Sequence, residues 1–136
     1  MSSVVISGDT SGTVSLTVPA VAGTNTVTIP ASTGTIALTS DVIGLNQTWT
    51  DVTASRALAT TYTNSTGKPI FVSIIISQGA VNAVASLTIS GVVVSYYYQA
   101  ASVSGGLLCG IVPNGGTYST ATTGPSPGIL SWKELR

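Results

Sequence analysis

QTWTDVTASRALATTYTNSTGKPIFVSIII, residues 47–76, is the stretch from which the fold is read. Its end alternates with a period of two: Ile70, Val72, Ile74 and Ile76 share one face, and Phe71, Ser73, Ile75 and Ser77 the other. A strand apolar on both sides is expected at the centre of a sandwich or at a contact between subunits. Upstream, Asn64-Ser65-Thr66-Gly67-Lys68-Pro69 reads as a hairpin connection. Asn and Gly tolerate positive φ, and Pro69 enters the next strand where a missing N–H does least harm. Trp49 is the first aromatic residue of the chain, and Trp49, Leu58, Tyr62, Ile70, Phe71 and Val72 are its first core candidates.

Towards the C-terminus the same grammar repeats. Ala85, Leu87 and Ile89 alternate with Ser86, Thr88 and Ser90, and Val92 to Tyr98 is a further strand ending in three tyrosines. Leu107 to Val112 is followed by the turn Pro113-Asn114-Gly115-Gly116, then Thr117 to Thr122. Gly124-Pro125-Ser126-Pro127-Gly128 breaks regular structure before a closing strand, Ile129 to Leu135, that contains Trp132. Short strands at even spacing with no helical periodicity predict an all-β chain, an antiparallel, jelly-roll-like β-sandwich over residues 43–136.

Towards the N-terminus the composition changes. Residues 1–42 are rich in Ser, Thr, Gly and Val, with no aromatic residue. Val14, Leu16 and Val18 alternate with Ser15 and Thr17, and VSLTVPA (14–20) is echoed by VTIPA (27–31) and TIALTS (35–40). Hairpins of this kind are marginal alone, so their aliphatic stripes need a further surface. The segment reads as an extended β-rich arm or stem, with completion of the main sheet as the other reading. Ser40 or Asp41 is placed to cap a single helical turn that Gly44 ends.

Composition narrows the function. Only 6% of the 136 residues are charged, four acids against four bases, where a soluble domain carries roughly a quarter. A neutral surface of hydroxyls and amides favours self-association. Four scattered basic residues cannot line a nucleic acid backbone, and no basic amphipathic helix or long apolar run points to a membrane. The opening MSSVVISGD has neither a basic segment nor a long apolar core, so no secretory signal is read there.

Chemistry is scarce. There is no histidine, and the single Cys109 lies in the apolar run LLCGIV, where it reads as a small buried hydrophobe. Asp9, Asp41, Asp51 and Glu134 show no metal-ligand spacing, so no metal, cofactor or catalytic residue is assigned. Asp51 and Glu134 could meet if the first and last strands of the domain pair, but an ion pair of Asp51 with Arg56 or Lys133 is the plainer expectation. Tyr96, Tyr97 and Tyr98 are the one local feature suggesting recognition. In a strand Tyr96 and Tyr98 face one way and Tyr97 the other, and core packing, a subunit interface and a ligand contact all stay open.

Trp49-Thr50-Asp51-Val52-Thr53 with Arg56, Tyr62-Thr63-Asn64-Ser65-Thr66-Gly67-Lys68-Pro69-Ile70, Val112-Pro113-Asn114-Gly115-Gly116-Thr117-Tyr118 and the terminal SWKELR together form a recognisable pattern. It resembles a module found at the distal ends of tailed-bacteriophage tail fibres and tailspikes and in other virion appendages. The arm resembles a phage structural segment that often precedes such modules. The resemblance implies a trimeric β-sandwich on the outer surface of a virion. Fibres and spikes carry a long shaft or an enzymatic body, whereas this chain opens at Met1 with only its arm. That favours a non-enzymatic capsid cement or decoration protein, a homotrimer whose arms clamp the major capsid protein. The alternative is a short tail fibre or fibre tip that binds a host surface polysaccharide.

Overall fold

A computed structural model describes residues 3–17, 19–21, 23–24, 26, 31, 42–77, 81–99, 105–124 and 127–136. It divides into two units, Met1–Thr35 and Ile36–Arg136. In the first, β1 (Ser3–Ser7) and β2 (Thr13–Thr17) form a two-stranded antiparallel sheet of their own. β1 lies ahead of the alternation that begins at Val14 and is the antiparallel partner of β2. The echoes at 27–31 and 35–40 and the cap at Ser40 or Asp41 fall almost wholly outside the described residues.

The second unit holds β3 (Trp49–Asp51), β4 (Tyr62–Thr63), β5 (Ile70–Ile76), β6 (Val84–Ile89), β7 (Val92–Tyr98), β8 (Gly106–Val112), β9 (Thr117–Thr123) and β10 (Ile129–Leu135). Their pairing is nested: β3 with β10, β4 with β9, β5 with β8, and β6 with β7, all antiparallel. Folding that ribbon over adds the ladders β10–β5 and β6–β9. Two four-stranded sheets result, β3-β10-β5-β8 and β4-β9-β6-β7, which is a jelly roll.

Alternation decides which residues lie between the sheets. Ile70, Val72, Ile74 and Ile76 of β5 meet Ala85, Leu87 and Ile89 of β6, with Leu108 and Val112 of β8. Trp132 of β10 is fully buried and stacks edge-on against Tyr62 of β4 (5.9 Å between ring centres), with Tyr118 of β9 at 6.2 Å. This aromatic cluster ties the two sheets together. On β8 the inward positions Gly106 and Gly110 carry no side chain because neighbours fill the space. A Cβ on Gly106 would lie 2.2 Å from the Tyr97 ring, and one on Gly110 would lie 2.7 Å from Ile89.

Two core expectations are corrected. Trp49 is 54% exposed on the outer face of its sheet, edge-on to a half-buried Phe71 at 6.0 Å. Residue size suggested burial, but the register Leu135↔Trp49 and Glu134↔Thr50 gives the inward side of β3 to Thr50. Cys109 likewise faces outward on β8, half-buried, opposite Ser73.

Nor is Asn64–Pro69 a hairpin: β4 and β5 belong to different sheets, and the turn carries the chain across. Asn64, 2% exposed, holds the crossing. Its Oδ1 accepts from the backbone N–H (3.1 Å) and hydroxyl (2.8 Å) of Thr66. Its Nδ2 donates to the carbonyls of Lys68, Val112 and Pro113 at 2.7, 3.1 and 3.0 Å. The β4–β5 crossing and the β8–β9 turn are therefore clasped by one amide, helped by Gly67 N–H donating to Asn114 Oδ1 at 3.1 Å. Asn64→Ala strips the donor from three carbonyls and should cost about 2–4 kcal/mol. Asn64→Asp should cost more, because it sets an acceptor against acceptors. Denaturant midpoints test this, and a loss under about 0.5 kcal/mol, the scale of ordinary surface changes, would show that the clasp is dispensable.

Candidate functional site

Where charged side chains gather is decided by the closing strand. Its alternation sends Trp132 and Glu134 inward and Lys133 outward, so a carboxylate with no exposure enters the sandwich at its end. Arg56, from the loop after a single 3-10 turn (Thr53–Ser55), answers it: Nε donates to Oε1 at 2.9 Å and Nη2 to Oε2 at 3.1 Å. Tyr118 Oη donates to Oε1 at 2.7 Å, and Arg136 Nη1 lies 3.2 Å from Oε2. Arg56 also lies 4.4 Å from the centre of the Tyr62 ring, whose hydroxyl accepts from Ala57 N–H at 2.9 Å.

Burial works against the Arg56 charge, but the hydrogen bonds and field of Glu134 prevail, and its pKa is raised. The Tyr118 phenol is pushed up to about 12, first by burial and then by the hydrogen bond to Glu134 and its charge. Asp51 departs from the pairing expected with Arg56. It is exposed, and its carboxyl is held below the usual range first by the Thr53 hydroxyl, then by the Thr53 backbone N–H. That hydroxyl relays the contact inward, donating to Asp51 at 2.7 Å and accepting from Trp132 N–H at 2.8 Å. Asp51 and Glu134 do sit on paired strands, but on opposite faces of the sheet, so they cannot work as two opposed carboxylates.

A cavity of about 220 Å³ opens beside the cluster, lined by Arg56, Tyr62, Asn64, Thr66, Tyr118 and Arg136 among others. Its polar groups are largely spent on one another: both oxygens of Glu134 are engaged, Arg56 Nη1 donates to the Ser55 carbonyl at 3.3 Å, and Thr66 is held by Asn64. The arrangement can fix one geometry, with its carboxylate and the Arg56 guanidinium engaged by each other. Among the described residues no three Cys, Asp or Glu side chains gather as for a metal ion.

The tyrosines lie elsewhere. Tyr96 and Tyr98 are 60% and 51% exposed on the outer face of the second sheet, and Tyr98 donates to Asn82 Oδ1 at 2.6 Å. Tyr97 turns inward, packing on the core over Gly106. The sequence missed the Glu134 cluster because its partners are far apart in the chain: Arg56 and Glu134 are separated by 78 positions. No family model matches this chain, and no curated protein matches it either.

The cluster makes stability depend on alkaline pH. In the unfolded chain the Tyr118 phenol titrates near 10.0 and in the folded chain near about 12. Its contribution is full below pH 10 and fades as pH climbs through that window, because only the unfolded chain then releases the proton. Unfolding free energy followed against pH should fall across this interval, and Tyr118→Phe should flatten the fall. Glu134→Gln leaves two guanidiniums against a neutral amide and should cost about 3–5 kcal/mol at neutral pH. Equal denaturant midpoints for wild type and variant would refute that role.

Proposed function

We propose that the protein is a non-enzymatic structural protein of a virion surface, a trimeric cement protein that binds the outside of a capsid shell through its N-terminal arm. The observation that carries this reading is the uncovered face of the β1–β2 ribbon. Cross-strand register sets Val4 opposite Leu16 and Ile6 opposite Val14, and all four are more than half exposed. A ribbon of two short strands does not hold such a face to water for its own stability; a partner's groove would cover it. The resemblance of the arm and of the Trp49–Ile70 motif to phage structural segments supports the same assignment.

The magnitudes suit cement. Covering the remaining exposed half of four aliphatic side chains contributes about 1 kcal/mol each, about 4 kcal/mol per arm. Alone that corresponds to roughly millimolar binding. Three arms on one trimer act through effective concentration, which multiplies affinity by about 10²–10⁴. The contact is apolar and salt-insensitive, which suits permanent attachment.

A second reading, a tail-fibre component that binds a host surface polysaccharide, is favoured by one observation: Tyr96 and Tyr98 stand exposed on the same face. Copy number separates the two. Quantitative mass spectrometry of purified particles should find hundreds of copies for shell decoration, and a handful would favour the tail. Removing residues 1–42 should abolish attachment to shells while leaving a folded trimer; normal occupancy by the truncated protein would exclude the clamp. Binding to a glycan array that is lost in Tyr96→Ala would move the assignment to the fibre.

A further inference from the structure

The four edge strands of the jelly roll are not alike. β3 and β4 are short, three and two residues, and Asp51 on β3 faces Lys133 across the ladder. β7 and β8 are seven residues each, VVVSYYY and GLLCGIV, without a charge or a proline. Proteins that stay monomeric guard long edges with charge, proline or cover, and this pair has none of the first two. The two edges are neighbours: Cys109 N–H on β8 donates to Ser95 Oγ on β7 at 3.4 Å, and Val94 packs towards Gly110.

Around that flank lie two apolar surfaces of different character. On the outer face of the first sheet Leu107 and Ile111 are 58% and 56% exposed, beside Ile75 opposite Leu107 and Phe71 opposite Ile111. On the outer face of the second sheet stand Tyr96 and Tyr98, with Val93 in line. With Trp49, the aliphatic side leaves on the order of 400 Å² of apolar surface in water, as large as the biggest patches on typical monomers. It is also about half of the roughly 800 Å² that a standard interface takes from each partner.

We propose that copies of this chain join head to tail across the β7–β8 flank, the Leu107–Ile111 face of one copy receiving the Tyr96–Tyr98 face of the next. This rests on the reading of the protein as a self-assembling one and names the surfaces involved. Unlike patches on opposite sides of one flank fit a heterologous contact, which makes a ring where the rotation between copies closes and a filament where it does not, and the trimer proposed above requires the closing case; a two-fold contact would pair like with like and leave the other patch in water. Rigid tyrosine rings, apolar in body and polar at the tip, suit a flat aliphatic strand as partner. Cys109 faces outward between Leu107 and Ile111 and lies under the contact.

The test uses full-length protein at micromolar concentration, with molar mass from sedimentation and light scattering. Wild type should be a closed oligomer, and Leu107→Glu and Tyr96→Glu should each be folded monomers, since both positions are exposed; Ile111→Glu replaces Leu107→Glu should the latter unfold. Mixing the two monomers should give a one-to-one dimer and nothing larger, because each supplies the intact face that the other lacks. Maleimide labelling of Cys109 should be at least tenfold slower in the wild-type oligomer than in the Tyr96→Glu monomer. Variants that stay oligomeric, or equal labelling rates, overturn these surfaces but leave self-assembly standing. Monomers that do not combine overturn the head-to-tail contact, and a monomeric wild type overturns self-assembly itself.

Discussion

A carboxylate with no exposure is the constraint from which much of this domain follows. Glu134 leaves water only because Arg56 engages both its oxygens, Tyr118 donates to one and Arg136 approaches the other. An uncompensated charge at that depth would cost more than most domains have to spare. Each partner comes from a different part of the chain, so satisfying one side chain fixes the Arg56 loop, β9 and the C-terminal residue relative to β10. Trp132, two residues earlier on the same inward face, adds the apolar half of the same lock by packing against Tyr62 and Tyr118.

The motif residues that stand out in the sequence turn out to be members of such locks. Asp51 and Thr53 hold the backbone of β10 at Trp132, Gln47 donates to the Pro69 carbonyl at 2.8 Å, and Asn64 clasps two turns with one amide. Their chemistry resembles that of an active site, with polar groups in tight geometry, but the hydrogen bonds of Thr53, Gln47 and Asn64 go to the backbone of the fold. Polar side chains become structural wherever strands end and backbone carbonyls would otherwise be orphaned.

Fold class was legible because alternation is a local signal. The period of two in β5 and β6 marks one face as buried without reference to any partner, and Ile70 to Ile76 and Ala85 to Ile89 lie where that pattern puts them. The inward turn of Tyr97 against its two neighbours follows from the same rule. What alternation cannot state is which strand pairs with which. Asn64–Pro69 has turn chemistry that suits a hairpin as well as a crossing between sheets. Trp49 is large enough for a core, but the phase of its ladder with β10 puts it outside. Arg56 was matched with the nearby Asp51, although its partner waits at the other end of the domain. In each case the missing information is long-range register, set by packing of the whole nested ribbon.

The same distinction separates the interior of this protein from its surface. Inside, the polar atoms of Glu134 and Asn64 are engaged, while Thr120 Oγ1 and Trp132 Nε1 are buried without a hydrogen-bond partner; outside, two seven-residue edges and two apolar faces are left without the charges that normally keep β-proteins apart. A chain with eight charged residues in 136 has little electrostatic means of keeping copies apart in solution. Five of the eight, Asp51, Arg56, Lys133, Glu134 and Arg136, sit on β3, on β10 or beside them, away from the β7–β8 flank. Distributing charge this way protects the β3 side and leaves the opposite side to pair. A surface so divided is what the proposed contact between copies would use, and that contact would account for hydroxyl and aliphatic residues standing in place of charge across most of the chain.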